Sequence, residues 1–580
     1  MTGNYPRFLL WCALGLALWL NYQAWMHDYP PPRPAPSAPA TAASGSSAGS
    51  GEASSDLGAS VPQVPSSGTQ APTGKHAAEA AAPAAVPASR RLTASFKGPT
   101  VDVRTDLLDV HISLKGGTVV RAALLAYPRV KGQPEPVQLE NHASPDSLYV
   151  LESGLTGPDH EPRPTHLAAF TSPATQYTLA AGSDELRVPL TWKGPDGVTV
   201  TKTFTFRRGK YQIGLDQTVE NGSGKPWAAA PYAQIIRYEK PVHGSFISHY
   251  ADVDRYSFEG PALYDGTKYR TLKISKTENQ HLALEVTGGW LAAPQHDFVS
   301  AVIPPQGKSF HYTLNVSGNE YALATAGPMQ TVKPGTTLSF PFKLFVGPTL
   351  QSALAATAPH FDLVENYGKL TFLAKPLFWL LQKAHALLGN WGLAIILVTC
   401  FLKLLLYPLS ETSYRSMAKM KALTPRIKAL QETYKGDKEK SSRAMMELYK
   451  REKVNPVAGC LPMIIQIPIF FAYYYVLLGS VEMRQAPFYG WIHDLSSRDP
   501  YFILPAIMAA AMFIQYRLNP APADPTQAKV MMVMPLAMSA MFALFPAGLV
   551  LYYLTNTILS IAQQWSINKR MGVAAQQRKA

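Results

Sequence analysis

Long apolar runs stand near both ends of the chain, and the region between them has a different pattern. The first run occupies residues 8–25, and its 18 uncharged residues would make a helix of about 27 Å. That length is close to the hydrocarbon thickness of a bilayer, about 30 Å. Five further runs follow residue 390, and a Pro-Ala-Gly turn signal separates the last two. The pattern predicts six membrane spans, at residues 8–25, 391–409, 460–478, 501–517, 530–545 and 549–567.

The N-terminal run is the centre of a predicted transmembrane anchor over residues 1–28. It ends with Trp19, Tyr22 and Trp25, whereas signal peptidase requires small residues near its cleavage site. We therefore expect the anchor to be retained, with a cleaved signal peptide as the alternative. Residues 29–90 follow it and consist almost entirely of Ala, Pro, Ser, Gly and Thr. Such a segment has few side chains to bury, which predicts a disordered linker.

Residues 91–360 alternate apolar and polar positions in short segments, as half-buried strands do. The clearest example is VTVTKTFTF at residues 198–206, which has glycine-containing turn signals before and after it. This pattern predicts a large all-β domain of two packed sheets. The histidines of the region show none of the spacings of a metal site, so we expect no metal there.

Residues 361–390 include a segment with helical periodicity. Its apolar positions recur every three or four residues, while Lys375 and Lys383 fall on other faces. This predicts an amphipathic helix that lies in the membrane interface. Packing of the helix against the β domain is the alternative that periodicity leaves open. The apolar positions are Leu373, Leu377, Leu380, Ala384 and Leu387.

Charge is unevenly distributed, and its distribution predicts the topology. The chain has a net charge of +14, although only 16% of its residues are charged. Residues 411–453 hold twelve Lys and Arg against six Asp and Glu, and the tail at residues 571–580 is basic without an acid. The positive-inside rule then predicts that both termini are cytoplasmic and that the β domain lies across the membrane. We expect no direct nucleic-acid recognition, because no nucleic-acid-binding motif accompanies the charge.

Lys403 is the main candidate for a functional residue, because it stands about 18 Å along the run that begins at residue 391. A charge at that depth costs roughly 2.5 to 3.5 kcal/mol on insertion scales and usually faces a water-filled cavity or a partner. Neutral polar residues in the spans, among them Thr399, Gln466 and Asn556, can complete a hydrophilic pocket with it. The alternative is that the lysine snorkels to the cytoplasmic headgroups and has no function.

The segment at residues 411–454 predicts a basic helical hairpin on the cytoplasmic side. Methionines recur along it at helical spacing, namely Met417, Met420, Met445 and Met446. Thioether side chains adapt to varied partners, which favours a docking surface. An equally supported alternative is that these methionines form the hairpin's own seam.

No pattern in the chain indicates catalysis. The spans carry no acidic residue for a proton relay, no series of gating arginines and no phosphate-binding glycine loop. We therefore expect a protein that is not an enzyme and that has no catalytic residue, cofactor or metal.

The C-terminal region contains a series of distinctive motifs, namely NWG at residues 390–392, YPL at 407–409, EKVNP at 452–456, GCLPMIIQIPIF at 459–470, GSVEMRQAPF at 479–488, WIHDL at 491–495 and GLVLYY at 548–553. These motifs resemble those of the YidC/Oxa/Alb membrane protein insertases, specifically the YidC type of Gram-negative bacteria. The resemblance is close over residues 360–570, and the anchor, linker and β domain agree in order.

The resemblance implies a multi-pass α-helical membrane protein with a five-helix core and a periplasmic β-supersandwich of the sugar-mutarotase type. It also implies a groove that is open to the cytoplasm and lipid and contains one basic residue. That residue is usually arginine in the family, and the matching position here is Lys403. Lysine lacks the bidentate fork of a guanidinium, so a general attraction for an acidic segment should matter more than tight pairing. Thr399 and Tyr553 would border the path of a substrate helix.

The implied function is insertion and chaperoning of proteins in the inner membrane, alone or with the Sec translocon. Nascent membrane proteins are the implied substrates, and the ribosome, the signal recognition particle and anionic lipid are further implied partners. Two other classes stay open. A small-solute transporter would need internal repeats and a coupling-ion site. A membrane-tethered carbohydrate-binding protein or enzyme would not need six spans.

Overall fold

The computed structural model describes residues 61–62, 98–158, 162–194, 197–240, 258–365, 367, 370–434, 437–452, 454, 461–519 and 525–571. The predicted anchor at residues 1–28 lies outside the described residues. So do the predicted linker, apart from residues 61–62, and the basic tail after residue 571.

The described part of the chain before residue 350 consists mainly of β-strands. They are β1 Thr100–Arg104, β2 Leu108–Ser113, β3 Val119–Pro128, β4 Pro136–Glu140, β5 Tyr149–Thr156, β6 Gln176–Thr178, β7 Glu185–Lys193, β8 Val198–Arg207, β9 Gln212–Asn221, β10 Trp227–Tyr238, β11 Ala262–Tyr264, β12 Tyr269–Thr271, β13 His281–Thr287, β14 Trp290–Gln295, β15 Phe298–Ile303, β16 Ser309–Ser317, β17 Glu320–Ala326, β18 Gln330–Val332 and β19 Thr337–Pro348.

These strands form two sheets, which confirms the predicted two-sheet β domain. One described sheet has eleven strands, with the path β13-β16-β17-β10-β5-β3-β2-β1-β6 and with β18 and β4 paired beside β10 and β3. The other has eight, in the order β12-β11-β14-β15-β19-β9-β8-β7. Buried side chains from both sheets join in one apolar cluster. The two sheets therefore share a core, as in a sandwich.

Strand β8 shows how the sequence alternation becomes burial. Val198, Val200, Phe204 and Phe206 point into the core, and the threonines between them are half-buried. Lys202 falls on the same inward face and is fully buried. Its ammonium donates to the carbonyl oxygens of Gly116 and Ser153, each at 2.6 Å. Burial lowers the pKa of Lys202 to about 7.

The described chain after residue 350 is helical. Its helices are α1 Gln351–Thr357, α2 Thr371–Leu388, α3 Trp391–Leu405, α4 Tyr407–Thr433, α5 Lys438–Arg451, α6 Leu461–Gly479, α7 Ile503–Leu518, α8 Pro525–Phe542 and α9 Ala547–Arg570. Helix α9 packs against α3, α4, α6 and α7, so it lies at the centre of this group. The rings of Tyr473 on α6 and Tyr552 on α9 stack with centroids 4.1 Å apart.

The described helices differ in length and in apolar character. Within those residues, no one helix is by itself both long and apolar enough to cross a membrane. Helices α3 and α4 meet the length and composition as a pair, with a bend of 68° between them. Shorter apolar helices run over Ile464–Gly479, Ile503–Leu518 and Met532–Phe542.

The bend between α3 and α4 corrects one predicted boundary. The apolar run at residues 391–409 was expected to form one helix, but α3 ends at Leu405 and α4 begins at Tyr407. Pro408 stands at the second position of α4. A proline is well accommodated in the first turn of a helix and disrupts its interior, so the chain starts a new helix there.

Helix α2 packs against helices α3 and α6. The alternative that its periodicity left open was packing on the β domain. The buried residues of α2 are Ala374, Leu377, Phe378, Leu381 and Ala384. Of the predicted apolar positions, Leu377 and Ala384 are buried, whereas Leu387 is 78% exposed. Phe372 and Trp379 are exposed as well, at 75% and 56%. The helix therefore has a second apolar stripe that the rest of the described chain does not cover.

The loop after α6 joins the helices to the β domain. The Nε of Arg484 lies 3.5 Å from Asp297 Oδ2, and its guanidinium donates to the carbonyl oxygen of Pro128 at 3.0 Å. Lys131 donates back across the same junction, to the carbonyl oxygens of Gln485 at 2.7 Å and of His493. The two regions thus meet through charged and polar contacts.

Candidate functional site

A cavity opens among helices α3, α4, α6 and α9. It contains Lys403 together with neutral polar and aliphatic side chains, and no carboxylate is among these described lining residues. The lining residues are Thr399, Leu402, Lys403, Leu406, Leu409, Ser410, Ile465, Gln466, Ile469, Tyr552 and Asn556. The site therefore carries a positive charge without a matching negative one in its wall.

Helix α9 holds the ammonium of Lys403 at two points. Lys403 Nζ donates to Ser560 Oγ at 2.7 Å and to Asn556 Oδ1 at 3.3 Å. Asn556 and Ser560 are four residues apart, so they lie on one face of the helix. An ammonium has three hydrogens. Two of them have acceptors here, which leaves one for a group in the cavity.

A row of polar contacts continues along the cavity wall. Thr399 Oγ1 donates to the carbonyl oxygen of Ile395 at 2.6 Å. Gln466 Nε2 donates to Tyr552 Oη at 2.5 Å. Three helices, α3, α6 and α9, are therefore joined through side-chain hydrogen bonds beside Lys403.

The structure brings four of the five predicted groove residues to this cavity, namely Thr399, Lys403, Gln466 and Asn556. The fifth, Tyr553, packs against Phe542 with ring centroids 4.8 Å apart and against Phe470 at 6.0 Å. Its neighbour Tyr552 lines the cavity instead. Tyr552, Asn556 and Ser560 follow one another at spacings of four, a signal in the sequence that the prediction did not use.

Comparisons with known proteins cover both halves of the chain. Residues 383–575 match the family model described as 60Kd inner membrane protein, and residues 100–380 match the YidC periplasmic domain. The membrane protein insertase YidC of Nitrosococcus oceani is 43% identical over 578 residues, which cover 98% of this chain and 99% of the relative. The chain belongs to the YidC membrane protein insertase family.

A second relative agrees with this assignment. The YidC of Thioalkalivibrio sulfidiphilus is 43% identical over 97% of this chain and 98% of its own length. A solved structure of an active YidC insertase with its first transmembrane domain is 20% identical, with a TM-score of 0.36, over 81% of this chain and 93% of that one. The resemblance seen in the motifs is confirmed by the family matches.

Membership of the YidC family bears on the predicted location of the protein and on the expectation that it is not an enzyme. It places the protein in the inner membrane and its β domain in the periplasm. It also agrees with the expectation that the protein is not an enzyme, since the relatives are named as insertases.

The hairpin of this YidC-family chain divides its methionines between two environments. Helices α4 and α5 form it, and a small cluster of Leu423, Ile427 and Val454 is buried between them. Met420 and Met445 pack against that cluster, so these two belong to the seam. Met417 and Met446 are half-buried outside it.

Proposed function

We propose that the protein inserts membrane proteins into the inner membrane and helps them fold, using the cavity at Lys403 to receive the polar segment of the substrate. The observation that carries this proposal is the unmatched positive charge in the cavity wall. An acidic segment entering the site would supply the missing negative charge and accept the remaining hydrogen of the ammonium. Nascent membrane proteins are the substrates, as the names of the relatives imply for those proteins.

The physical cycle needs neither nucleotide nor covalent chemistry. A polar cavity within the helical region shortens the apolar distance that a hydrophilic loop must cross. The apolar part of the substrate gains about 0.8 kcal/mol for each CH₂ group moved from water into lipid. Release into lipid is therefore downhill once the polar segment has crossed.

The proposed topology keeps the predicted domains. It has six spans with both termini in the cytoplasm, the β domain at residues 91–360, the interfacial helix at 361–390 and a five-helix core at 391–570. The basic excess of residues 411–453 supports the cytoplasmic side for the hairpin. The exposed apolar side chains of α3, α6, α7 and α8 support contact of this core with lipid.

Helix α2 is proposed to rest on the membrane surface with its second stripe toward the lipid. Phe372, Trp379 and Leu387 would enter the apolar layer. The ammonium of Lys383 lies 6.0 Å from the ring of Trp379, on the border of that stripe. An amphipathic helix with an aromatic stripe and a bordering cation favours anionic lipid.

The hairpin is proposed to dock cytoplasmic partners of the insertion pathway. Its net positive charge suits the ribosome or a signal recognition particle, and Met417 and Met446 lie outside the hairpin's own apolar cluster. Cooperation with the Sec translocon is part of the same proposal and rests on the family resemblance.

The test uses a host strain depleted of its own insertase. Insertion of a small two-span protein with an acidic translocated segment is measured by protease protection, with wild type, Lys403→Arg and Lys403→Leu supplied in turn. We expect wild type and the arginine variant to restore insertion and the leucine variant to reduce it severalfold. Lys308→Leu is the matched control, because it removes an exposed positive charge from the β domain.

Failure of wild type to restore insertion would contradict the insertase proposal itself. Equal restoration by Lys403→Leu and wild type, with both proteins present at the same level, would contradict the role of the cavity charge.

A further inference from the structure

Ser560 is a point at which three parts of the protein meet, and sequence reasoning did not identify it. The residue is 4% exposed and lies on α9. Its hydroxyl accepts a hydrogen bond from Lys403 of α3 at 2.7 Å. The side chain of Tyr414, a buried residue of α4, lies beside the same hydroxyl.

The hydroxyl of Ser560 acts both as a donor and as an acceptor. Ser560 Oγ donates its proton to the carbonyl oxygen of Asn556 at 2.7 Å, within its own helix. A serine hydroxyl has one proton and two acceptor lone pairs. With the proton on the carbonyl oxygen, one lone pair accepts from the Lys403 ammonium and the second is available to the Tyr414 hydroxyl.

Lys403 depends on such acceptors more than an arginine would. An ammonium is a point charge on a flexible four-carbon stem, whereas a guanidinium is a planar, pre-organised fork. Without Ser560, the remaining protein acceptor for the ammonium among the described contacts is Asn556 Oδ1, at the longer distance of 3.3 Å. The lysine could then move toward the headgroups, where water satisfies its charge.

Tyr414 gives the same hydroxyl a connection to the cytoplasmic hairpin. It lies in the second turn of α4, the helix that continues to Thr433 and forms the first arm of the hairpin. Gln563 adds a longer contact, donating from α9 to the carbonyl oxygen of Tyr407 at the start of α4. A displacement of α4 relative to α9 would therefore change the acceptor that holds Lys403.

We infer that Ser560 positions the ammonium of Lys403 for an incoming acidic segment and that Tyr414 transmits the position of the hairpin to it. Ser560 is a positioning residue, because it acts through Lys403. This inference rests on the proposed insertase function and deepens it. A partner that moves the hairpin would alter the attraction of the cavity for acidic segments without touching the cavity.

The test compares two substrates in the depleted host. One is a two-span protein with acidic residues in its translocated segment, and the other is the same protein with those residues changed to Asn and Gln. The readout is the insertion rate of the acidic substrate divided by that of the neutral substrate. A general folding defect lowers both rates and leaves this ratio unchanged.

Ser560→Ala should lower that ratio severalfold, and Ser560→Thr, which keeps the hydroxyl, should preserve it. Tyr414→Phe should change the ratio in the same direction by a smaller factor. Ser539→Ala is the matched control. It removes another buried helical serine, which donates to the carbonyl oxygen of Pro505 and is remote from Lys403.

Double variants separate this inference from the proposed function. In a Lys403→Leu background, Ser560→Ala should have no further effect on the ratio, since the two residues act as one unit. Independent, additive effects would overturn the inference, and so would an unchanged ratio in Ser560→Ala. If Lys403→Leu itself leaves the ratio unchanged, the proposed role of the cavity fails and the inference fails with it.

Discussion

Arg484 and Asp297 form a charged contact between the helical region and the β domain, with 3.5 Å between Nε and Oδ2. Both side chains are largely buried, at 17% and 6% exposure. The arginine belongs to the loop after α6, and the aspartate immediately precedes β15. The contact therefore bears on how the periplasmic domain is held over the helices.

Replacing Arg484 by Ala should destabilise the protein by roughly 3 kcal/mol, because it leaves the carboxylate of Asp297 in a buried site without its guanidinium partner. Unfolding of the purified full chain in detergent, followed by tryptophan fluorescence, measures this. Arg129→Ala is the matched control. The pair Arg129–Glu135 is 71% and 53% exposed, so its loss should cost less than about 1 kcal/mol. Equal effects of the two variants would contradict the importance of the buried contact.

Two buried carboxyls at the same junction predict that stability falls as pH rises. Burial raises the pKa of Glu365 to about 8 and that of Glu482 to about 7. Between about pH 4.5 and those values the folded chain binds protons that the unfolded chain has lost, so each group lowers stability by up to about 1.4 kcal/mol per pH unit. The melting temperature in detergent should therefore fall from pH 5 to pH 8.

Glu365→Gln should flatten this dependence, because glutamine stays neutral at every pH. Tyr367 donates to Glu365 in the wild type, and the amide oxygen of glutamine can accept the same bond. Glu135→Gln, at a half-exposed carboxyl, is the matched control and should leave the slope unchanged. If Glu365→Gln keeps the wild-type slope, this carboxyl is not a source of the pH dependence.

Gly392 has a packing role that a methyl group would disturb. A Cβ atom there would lie 2.0 Å from the Phe488 ring, so Gly392→Ala should cost about 1 to 3 kcal/mol through overpacking. Gly479→Ala is the control at another helical glycine, because its Cβ would lie 3.6 Å from the Tyr367 ring, an ordinary contact. Melting temperatures of the two purified variants provide the comparison. A similar shift for both would show that the contact with Phe488 relaxes easily.

The two adjacent tyrosines of α9 should respond differently to loss of the hydroxyl. Tyr552→Phe removes the acceptor of the Gln466 hydrogen bond in the cavity wall and should lower the insertion rate severalfold. Tyr553→Phe keeps the ring that stacks on Phe542 and should insert at nearly the wild-type rate. Insertion of the acidic two-span substrate measures both variants. A larger loss for Tyr553→Phe would reverse the assignment of the two side chains.

Much of the fold is predictable because local patterns determine local structure. Alternation over residues 198–206 predicts strand β8 and its buried face, since successive side chains of a strand point to opposite sides. Apolar runs likewise predict the approximate positions of α6, α7, α8 and α9. The break at Leu406 is harder to predict, because hydrophobicity is continuous through it and the effect of Pro408 depends on where the helix begins.

The candidate site is only partly predictable for a related reason. Lys403 stands out in the sequence because a charge in an apolar run is costly wherever the chain folds. Which of Tyr552 and Tyr553 lines the cavity depends on the rotation of α9 against its neighbours, about 100° for each residue. The division of the methionines, with Met420 and Met445 in the seam, depends in the same way on how α4 meets α5.

By itself, the sequence determined the order of the parts, the all-β character of the middle region and the presence of a cationic residue among apolar helices. Only the tertiary structure decided that Ser560 and Asn556 accept hydrogen bonds from that cation and that Arg484 meets Asp297 across the junction. The physical reason is the separation along the chain over which each kind of interaction acts. Periodicity and propensity act between residues a few positions apart, whereas Lys403 and Ser560 are 157 positions apart and are brought together by the packing of whole helices.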